Sequence, residues 1–280
     1  MDQWRLVADS SCDLVPDTLS DDQVKFASVP LTIIVGNAQY VDIPATDTRR
    51  MMVHMKEFKG ASSSSCPSPD DFAREFVKAA NTIAVTITSG LSGTYNSALQ
   101  GVRLALEQNP DSNIHVVDSH ATSGSMILIL RRLRELIAQD LSFEDIVEQI
   151  ERYRDTMRII FSLASFDNLV KTGRMSKTSG VLASALNIRA VAINTAQGVI
   201  QVLEKPRGQK KAIERMVALM ETVKDMAGVP VVISHCNNPE GARQLCDAVR
   251  AAYAVNDITI CETHCLTSFY SGDQGLLLSF

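Results

Sequence analysis

Long apolar runs are missing from this 280-residue chain: nowhere do about 18 apolar residues follow one another, so no transmembrane helix is expected. Met1 to Ser10 carries no basic segment followed by an apolar run of about 7 to 15 residues, so a secretory leader is not expected either, and the cytoplasm is the expected compartment. An excess of positive charge is lacking as well. Lys and Arg number 27 against 32 Asp and Glu, a net charge of -5, whereas a duplex binder needs a clustered basic surface to displace counterions from phosphates. Nucleic acid is therefore not the expected partner. The six cysteines (Cys12, Cys66, Cys236, Cys246, Cys261, Cys265) include no Cys-x-x-Cys pair, which fits reduced thiols. Cys261-Glu262-Thr263-His264-Cys265 lacks a second ligand pair at zinc spacing, so no metal site is expected there.

What is present is the composition of an ordinary globular protein, long enough for about two domains of roughly 150 residues. Short β-branched runs alternate with segments of helical period, the pattern of parallel strands joined by crossover helices. Trp4 to Ala8, Thr82 to Ile87 and Ile114 to Val117 read as strands. Tyr95, Ala98, Leu99, Val102, Ala105 and Leu106 form an apolar helical stripe, as do Phe143, Ile146, Val147, Ile150 and Tyr153. In the second half, Arg158 to Leu163, Ala190 to Asn194 and Val199 to Glu204 suggest strands that include a hairpin around Ala196, Gln197 and Gly198. Two further strands, Val229 to Ser234 and Asp257 to Cys261, accompany helices with stripes at Ile213, Met216, Val217, Met220 and at Ala242, Leu245, Val249, Tyr253. The expected fold is α/β in two domains: residues 1–157 with a mostly parallel sheet flanked by helices, and residues 158–280 with a mixed sheet.

Hydroxyl-rich turns follow the first-half strands: Asp9, Ser10 and Ser11; Thr88 to Thr94; and Asp118, Ser119, His120. The carboxyl ends of strands in an open parallel sheet form the crevice where ligands bind, so these turns are expected to face one another. Ser92 stands where a strand gives way to a helix, beside free N–H groups and a positive dipole end that would welcome an oxyanion. The turn has no lysine and no Gly-x-x-x-x-Gly-Lys spacing, which favours a carboxylate over polyphosphate. A plainer alternative is that Ser92 only caps its helix. Ser68, with Pro69 and Asp71, makes a capping-box start for the next helix. Ser62 to Ser65 have no such duty, and local sequence alone reads them as a polar loop. Asp118, Ser119 and His120 are the residue types of a hydrolytic triad, but neighbours in a turn point in different directions and do not bridge as a triad requires. His54, His115, His235 and His264 have no evident partners.

On these turns the sequence resembles the DegV family of fatty-acid-binding proteins. The resemblance rests on Asp9-Ser10-Ser11-Cys12-Asp13-Leu14, Val29-Pro30-Leu31, Ser64-Ser65-Cys66-Pro67-Ser68-Pro69 and Ser89-Gly90-Leu91-Ser92-Gly93-Thr94-Tyr95. It continues through Val117-Asp118-Ser119, Lys171-Thr172-Gly173-Arg174-Met175-Ser176, Leu186-Asn187-Ile188-Arg189 and Arg207-Gly208-Gln209-Lys210-Lys211. It implies one long-chain fatty acid in a tunnel between two α/β domains, with no other cofactor and no reaction of its own. In many members of the family a partner kinase phosphorylates the bound carboxylate for phospholipid synthesis, and transient contact with a membrane is compatible with such a carrier. Carried over by position, the carboxylate would be held by Ser64, where the family usually has threonine, and Ser92, with Ser65 and Thr94 as neighbours. Arg174 and Arg207 would face the partner, with Lys210 and Lys211 adding to a basic rim.

The largest departure from the family is near the C-terminus, where His-x-Gly-Pro-Gly is common and this chain has Tyr270-Ser271-Gly272-Asp273-Gln274-Gly275. Tyrosine can donate a hydrogen bond to a carboxylate but does not change charge near neutral pH as histidine does. Tyr270 either takes over that hydrogen bond or closes the pocket against a different or shorter acid. Two other function classes stand beside the carrier: a serine-dependent esterase or acyltransferase using Ser92, and a regulatory module whose ligand reports lipid status.

Overall fold

A computed structural model describes residues 2–14, 19–176 and 187–280. In chain order the first half contains β1 (Asp2–Asp9), β2 (Val24–Val29), β3 (Thr32–Val35), β4 (Ala38–Val41), α1 (Thr48–Glu57), β5 (Ser62–Ser65), α2 (Pro69–Phe76), β6 (Ala79–Thr86), α3 (Thr94–Gln108), β7 (Asn113–Asp118), α4 (Gly124–Ile137) and α5 (Phe143–Thr156). The second half contains β8 (Ile159–Leu163), α6 (Asp167–Lys171), β9 (Ala190–Asn194), β10 (Ile200–Glu204), α7 (Gln209–Met220), β11 (Val231–His235), α8 (Pro239–Ala252), β12 (Ile258–Glu262), α9 (Cys265–Ser271) and β13 (Leu276–Ser279).

Strands β2-β1-β6-β7 form an all-parallel sheet. Its strands read as near-continuous apolar runs because both faces are covered, as parallel sheets require. Alternation then divides the side chains. Leu6, Ile83 and Val85 point to α4 and α5, where Met126, Leu130, Ile146 and Ile150 complete one core. Val7, Ala84 and Val116 point the other way, onto Phe72, Phe76, Ala98 and Ala105 of α2 and α3.

The second sheet has the order β10-β9-β8-β13-β11-β12, antiparallel except for the β11–β12 pair. The expected α/β architecture, a parallel N-terminal sheet and a mixed C-terminal one, is what forms. On this sheet Ile160, Val191, Ile233 and Leu278 pack against α7 and α8. The alternate residues Ile159, Phe161, Leu163 and Leu277 face the opposite way, toward the first half. Gly124 lets the start of α4 approach this sheet closely, since a Cβ there would stand 2.8 Å from Val232 Cγ1 and from Ser279 Oγ.

The sequence reading missed a small antiparallel sheet, β4-β3-β5. Ser62 to Ser65, expected as a loop, is its edge strand, with Ser64 opposite Ile33. Burial alternates along it: Ser62 and Ser64 are half-buried, Ser63 and Ser65 exposed. Serine is a weak strand former, so here the apolar partner β3 decides the conformation. Leu31, Ile33 and Val35 pack with Met51 of α1 and with Leu266 and Phe269 of α9.

Helix α2 begins as its sequence requires. Ser68 Oγ accepts from Asp71 N, the Asp71 carboxylate accepts from Ser68 N, and Pro69 occupies the first turn. Replacing Ser68 by alanine is expected to lower stability by about 1 kcal/mol, measured as a shift of the urea midpoint with an unchanged slope.

Candidate functional site

Between the parallel sheet's loops, α9 and the bare face of the mixed sheet lies a cavity. Its apolar wall is Leu31 and Ile87 from the first half, Leu266 of α9, and the outward row Ile159, Phe161, Leu163 and Leu277 of the mixed sheet. Alternation along β8 supplies that row, because every second side chain faces the cavity. The hairpin between β9 and β10 closes one side. Gly198 there has φ +68°, and a Cβ would fall 2.0 Å from Thr88 Oγ1, which donates to Gly198 O at 3.0 Å. Only glycine permits this contact between the hairpin and the loop after β6.

The polar wall gathers Ser64, Ser92, Tyr270 and Arg174 from four separate segments. Ser64 Oγ and Tyr270 Oη are 2.8 Å apart, and Ser92 Oγ and Thr94 Oγ1 are 2.9 Å apart. In each pair one hydroxyl donates to the other, so the second keeps its own O–H for a ligand. Gly93 holds the N-cap position without a side-chain bond, and Ser92 Oγ accepts from Thr94 N, the first N–H of α3, at 3.4 Å. Arg174 is anchored by Nε to Leu91 O at 3.2 Å and by Nη1 to Thr172 O at 2.8 Å, with its guanidinium 5.9 Å from the centre of the Tyr270 ring.

Other expected site residues stand elsewhere. Ser65, one residue from Ser64, lies on the opposite face of β5 and is exposed, as period-2 alternation dictates. Thr94 is fully buried behind Ser92 and does not line the cavity. Arg207, Lys210 and Lys211 are exposed at or just before the start of α7, outside the wall.

The turns after β1 and β7 differ from the crevice-facing hydroxyls expected. Ser10 and Ser11 are buried and used internally: Ser11 Oγ donates to Asp9 Oδ1 at 2.5 Å, and Ser10 Oγ accepts from Leu31 N at 3.0 Å. Ser119 Oγ donates to Ala121 O at 3.0 Å, while His120 Nε2 stands 3.8 Å from Asp118 Oδ2. These three therefore form no nucleophile–base–acid relay. His120, from a turn expected at the crevice, does reach the cavity wall, and so does Thr122 just beyond it.

Behind the wall sits a buried acidic cluster. Asp9 accepts from Ile87 N at 2.6 Å, and burial pushes its carboxyl up to about 6 against the hydrogen bonds from Ser11 and Ile87. Asp13 accepts from Ser123 Oγ at 2.5 Å and from His264 N at 2.7 Å; burial raises it to about 6, opposed by His264 and Ser123. Asp42 accepts from Cys265 N and Leu266 N, the first N–H groups of α9, and burial raises it too. Ile87, Leu31 and Leu266 all line the cavity, so the cluster fixes that wall from behind.

Residues 3–279 match the model of a protein family described as "Uncharacterised protein, DegV family". The chain belongs to the DegV family. A DegV domain-containing protein of Streptococcus pneumoniae is 41% identical over 278 residues, 99% of this chain and 98% of the relative. The crystal structure of the Streptococcus pneumoniae fatty acid kinase B3 protein, loaded with linoleic acid, superposes with a TM-score of 0.93 at 40% identity, covering 99% of each chain. A DegV family protein from Eubacterium eligens, loaded with heptadecanoic acid, gives 0.93 at 33% identity over 99% of this chain and 98% of that one. Of the family segments in the sequence, Leu186 lies outside the described residues. Among the described residues no helix is long and apolar enough to cross a membrane, no three His, Cys, Asp or Glu side chains stand together to hold a metal, and all six cysteines are free.

Proposed function

We propose that this DegV protein binds a long-chain fatty acid with its tail on the apolar wall and its carboxylate on the hydroxyls of Ser64, Ser92 and Tyr270. One observation carries the reading: two hydroxyl pairs, Ser64–Tyr270 and Ser92–Thr94, stand at a largely apolar cavity and keep one O–H each. A carboxylate has two oxygens to satisfy and pays several kcal/mol in desolvation when buried without donors. Relatives loaded with linoleic and heptadecanoic acid support the acyl tail. The two domains, dividing near residue 157, would enclose it. Arg174 beside the head group and Arg207 on the surface would serve hand-off to a partner kinase, since a guanidinium matches both carboxylate and phosphoryl oxygens. In that role the protein is a carrier, with the phosphoryl transfer performed by the partner.

The test is mass spectrometry of an organic extract from the purified native protein. A stoichiometric long-chain acyl ligand is the expected result. Absence of any such ligand, together with no uptake of added fatty acid, would overturn the reading.

A further inference from the structure

Helix α9 carries Tyr270, and its seven residues leave little internal hydrogen bonding to hold it in place. Its position is set from outside. At the start, Asp13 accepts from His264 N, and Asp42 accepts from Cys265 N and Leu266 N. At the end, the last carbonyls of a helix have no partner within it. Gly272 N donates to Ser268 O at 2.9 Å, and the next carbonyl, Phe269 O, accepts from Asn168 Nδ2 of α6 at 2.7 Å. The other contact of that amide, Met55 Sδ at 3.3 Å, is a weak acceptor, so Phe269 O is its principal partner.

Asn168 does not line the cavity. Phe269 O nevertheless belongs to the peptide that leads into Tyr270, so the Asn168 amide fixes the backbone from which the tyrosine ring departs. The ring is a long lever. A tilt of about 10° at the backbone carries Oη about 1 Å, beyond the roughly 0.5 Å tolerance of a preorganised site. Such a shift would break the 2.8 Å contact between Tyr270 Oη and Ser64 Oγ.

The same residue also registers Arg174. Asn168 O accepts from Thr172 N at 3.1 Å and from Thr172 Oγ1 at 2.6 Å, and Thr172 O accepts from Arg174 Nη1 at 2.8 Å. One residue of α6 thus joins the tyrosine to the guanidinium that stands 5.9 Å from its ring centre. Resting on the fatty-acid reading above, we propose that Asn168 is a positioning residue of the head-group site: through Phe269 O it holds the Tyr270 hydroxyl at Ser64 and within reach of the ligand carboxylate. Either hydroxyl of that pair can donate to the ligand, so the effect of Asn168 is largest where Ser64 is removed and Tyr270 is the remaining donor.

Displacement of a fluorescent fatty acid by octadecanoic acid, on the full chain, tests this in two backgrounds. Added to Ser64→Ala, Asn168→Ala is expected to weaken binding about tenfold, the worth of about one hydrogen bond. Added to the Ser64→Ala, Tyr270→Phe double variant, it should change binding less than about twofold, because no hydroxyl is left to position. Asn168→Asp, similar in shape but presenting a carboxylate oxygen to Phe269 O, should reproduce the pattern with a larger first step. Thermal denaturation of each variant checks that it folds, and Ser68→Ala, at the start of α2, should lower stability without changing affinity. An equal loss in both backgrounds would make Asn168 a merely structural residue and overturn the inference. Unchanged affinity in the Ser64→Ala background, with the double variant still weaker than the wild type, would overturn it too and leave the fatty-acid reading intact. Failure of the wild type to bind octadecanoic acid would overturn both.

Discussion

Replacing Ser92 by alanine is expected to weaken the binding of octadecanoic acid by roughly ten- to a hundredfold, the worth of about one hydrogen bond to a charged group. Ser92 Oγ is the cavity-facing member of its pair, whereas Thr94 is buried behind it. The alanine variant therefore leaves the remaining hydroxyl without a path to the ligand. Ser64→Ala should cost less than this, because Tyr270 Oη also lines the cavity and keeps its own O–H for the carboxylate. Tyr270→Phe should cost less, because Ser64 Oγ then turns its own O–H to the carboxylate. The double variant Ser64→Ala, Tyr270→Phe removes that alternative, and its loss should exceed the sum of the singles, as expected for groups that act as one network. Fluorescent fatty-acid displacement with each variant measures the series. Equal affinities across the wild type and all of these variants would refute the assignment of the head-group site.

Stability is expected to rise as pH falls from 7 to 5, against the usual trend for a protein losing carboxylate charge. Asp9 and Asp13 have folded-state values of about 6, against an ordinary 3.8, because burial disfavours their charged forms. A carboxyl with a raised folded value binds its proton more tightly in the folded than in the unfolded chain. Protonation through pH 6 therefore stabilises the fold, and the gain saturates near 3.8. Each group contributes about 1 kcal/mol between pH 7 and 5. Together they should raise the melting temperature by several degrees for a chain of this size. Carboxylates whose values are lowered, such as Asp21 beside Arg134, titrate below this window and do not oppose the effect in it. His235 opposes it, since burial lowers its value and protonation is then unfavourable in the fold.

Asp13→Asn isolates the carboxyl contribution. An asparagine keeps an oxygen for His264 N, and the Ser123 hydroxyl can reverse to accept from the new amide. Thermal melts across pH 5 to 7 should show this variant with a shallower pH dependence than the wild type. Identical slopes would mean that Asp13 stays ionised throughout. Asp9 is a poorer test, because an amide nitrogen at Oδ2 would meet the Ile87 N–H that now donates there.

Much of the framework is legible in the sequence, and for a stated reason. β1, β6, β7 and β8 to β12 are apolar runs between helices with clean stripes, and their burial on both or one face is written in the period of those residues. β2 and β13 were not read as strands, and β3, β4 and β5 were not legible. Two are four-residue strands of a small sheet, and β5 is four serines whose conformation comes from pairing with Thr32–Val35. The candidate site divides in the same way. Ser64, Ser92, Arg174 and Tyr270 could be named from family-like segments, but their juxtaposition could not, since Ser64 and Tyr270 are 206 residues apart in the chain. Ser10, Ser11 and Ser119 carried the same hydroxyl signal and face inward, because their oxygens are taken by Asp9, Leu31 and Ala121.

The sequence by itself determined the α/β class, the parallel sheet, the capping of α2 at Ser68 and the absence of a phosphate-loop lysine, all properties of local pattern and residue chemistry. Only the tertiary structure decided which hydroxyls line the cavity, that Ser65 does not, and that three carboxylates are buried behind the wall. Whether a polar side chain is satisfied depends on groups brought to it from distant parts of the chain, and that is settled by packing rather than by its neighbours in sequence.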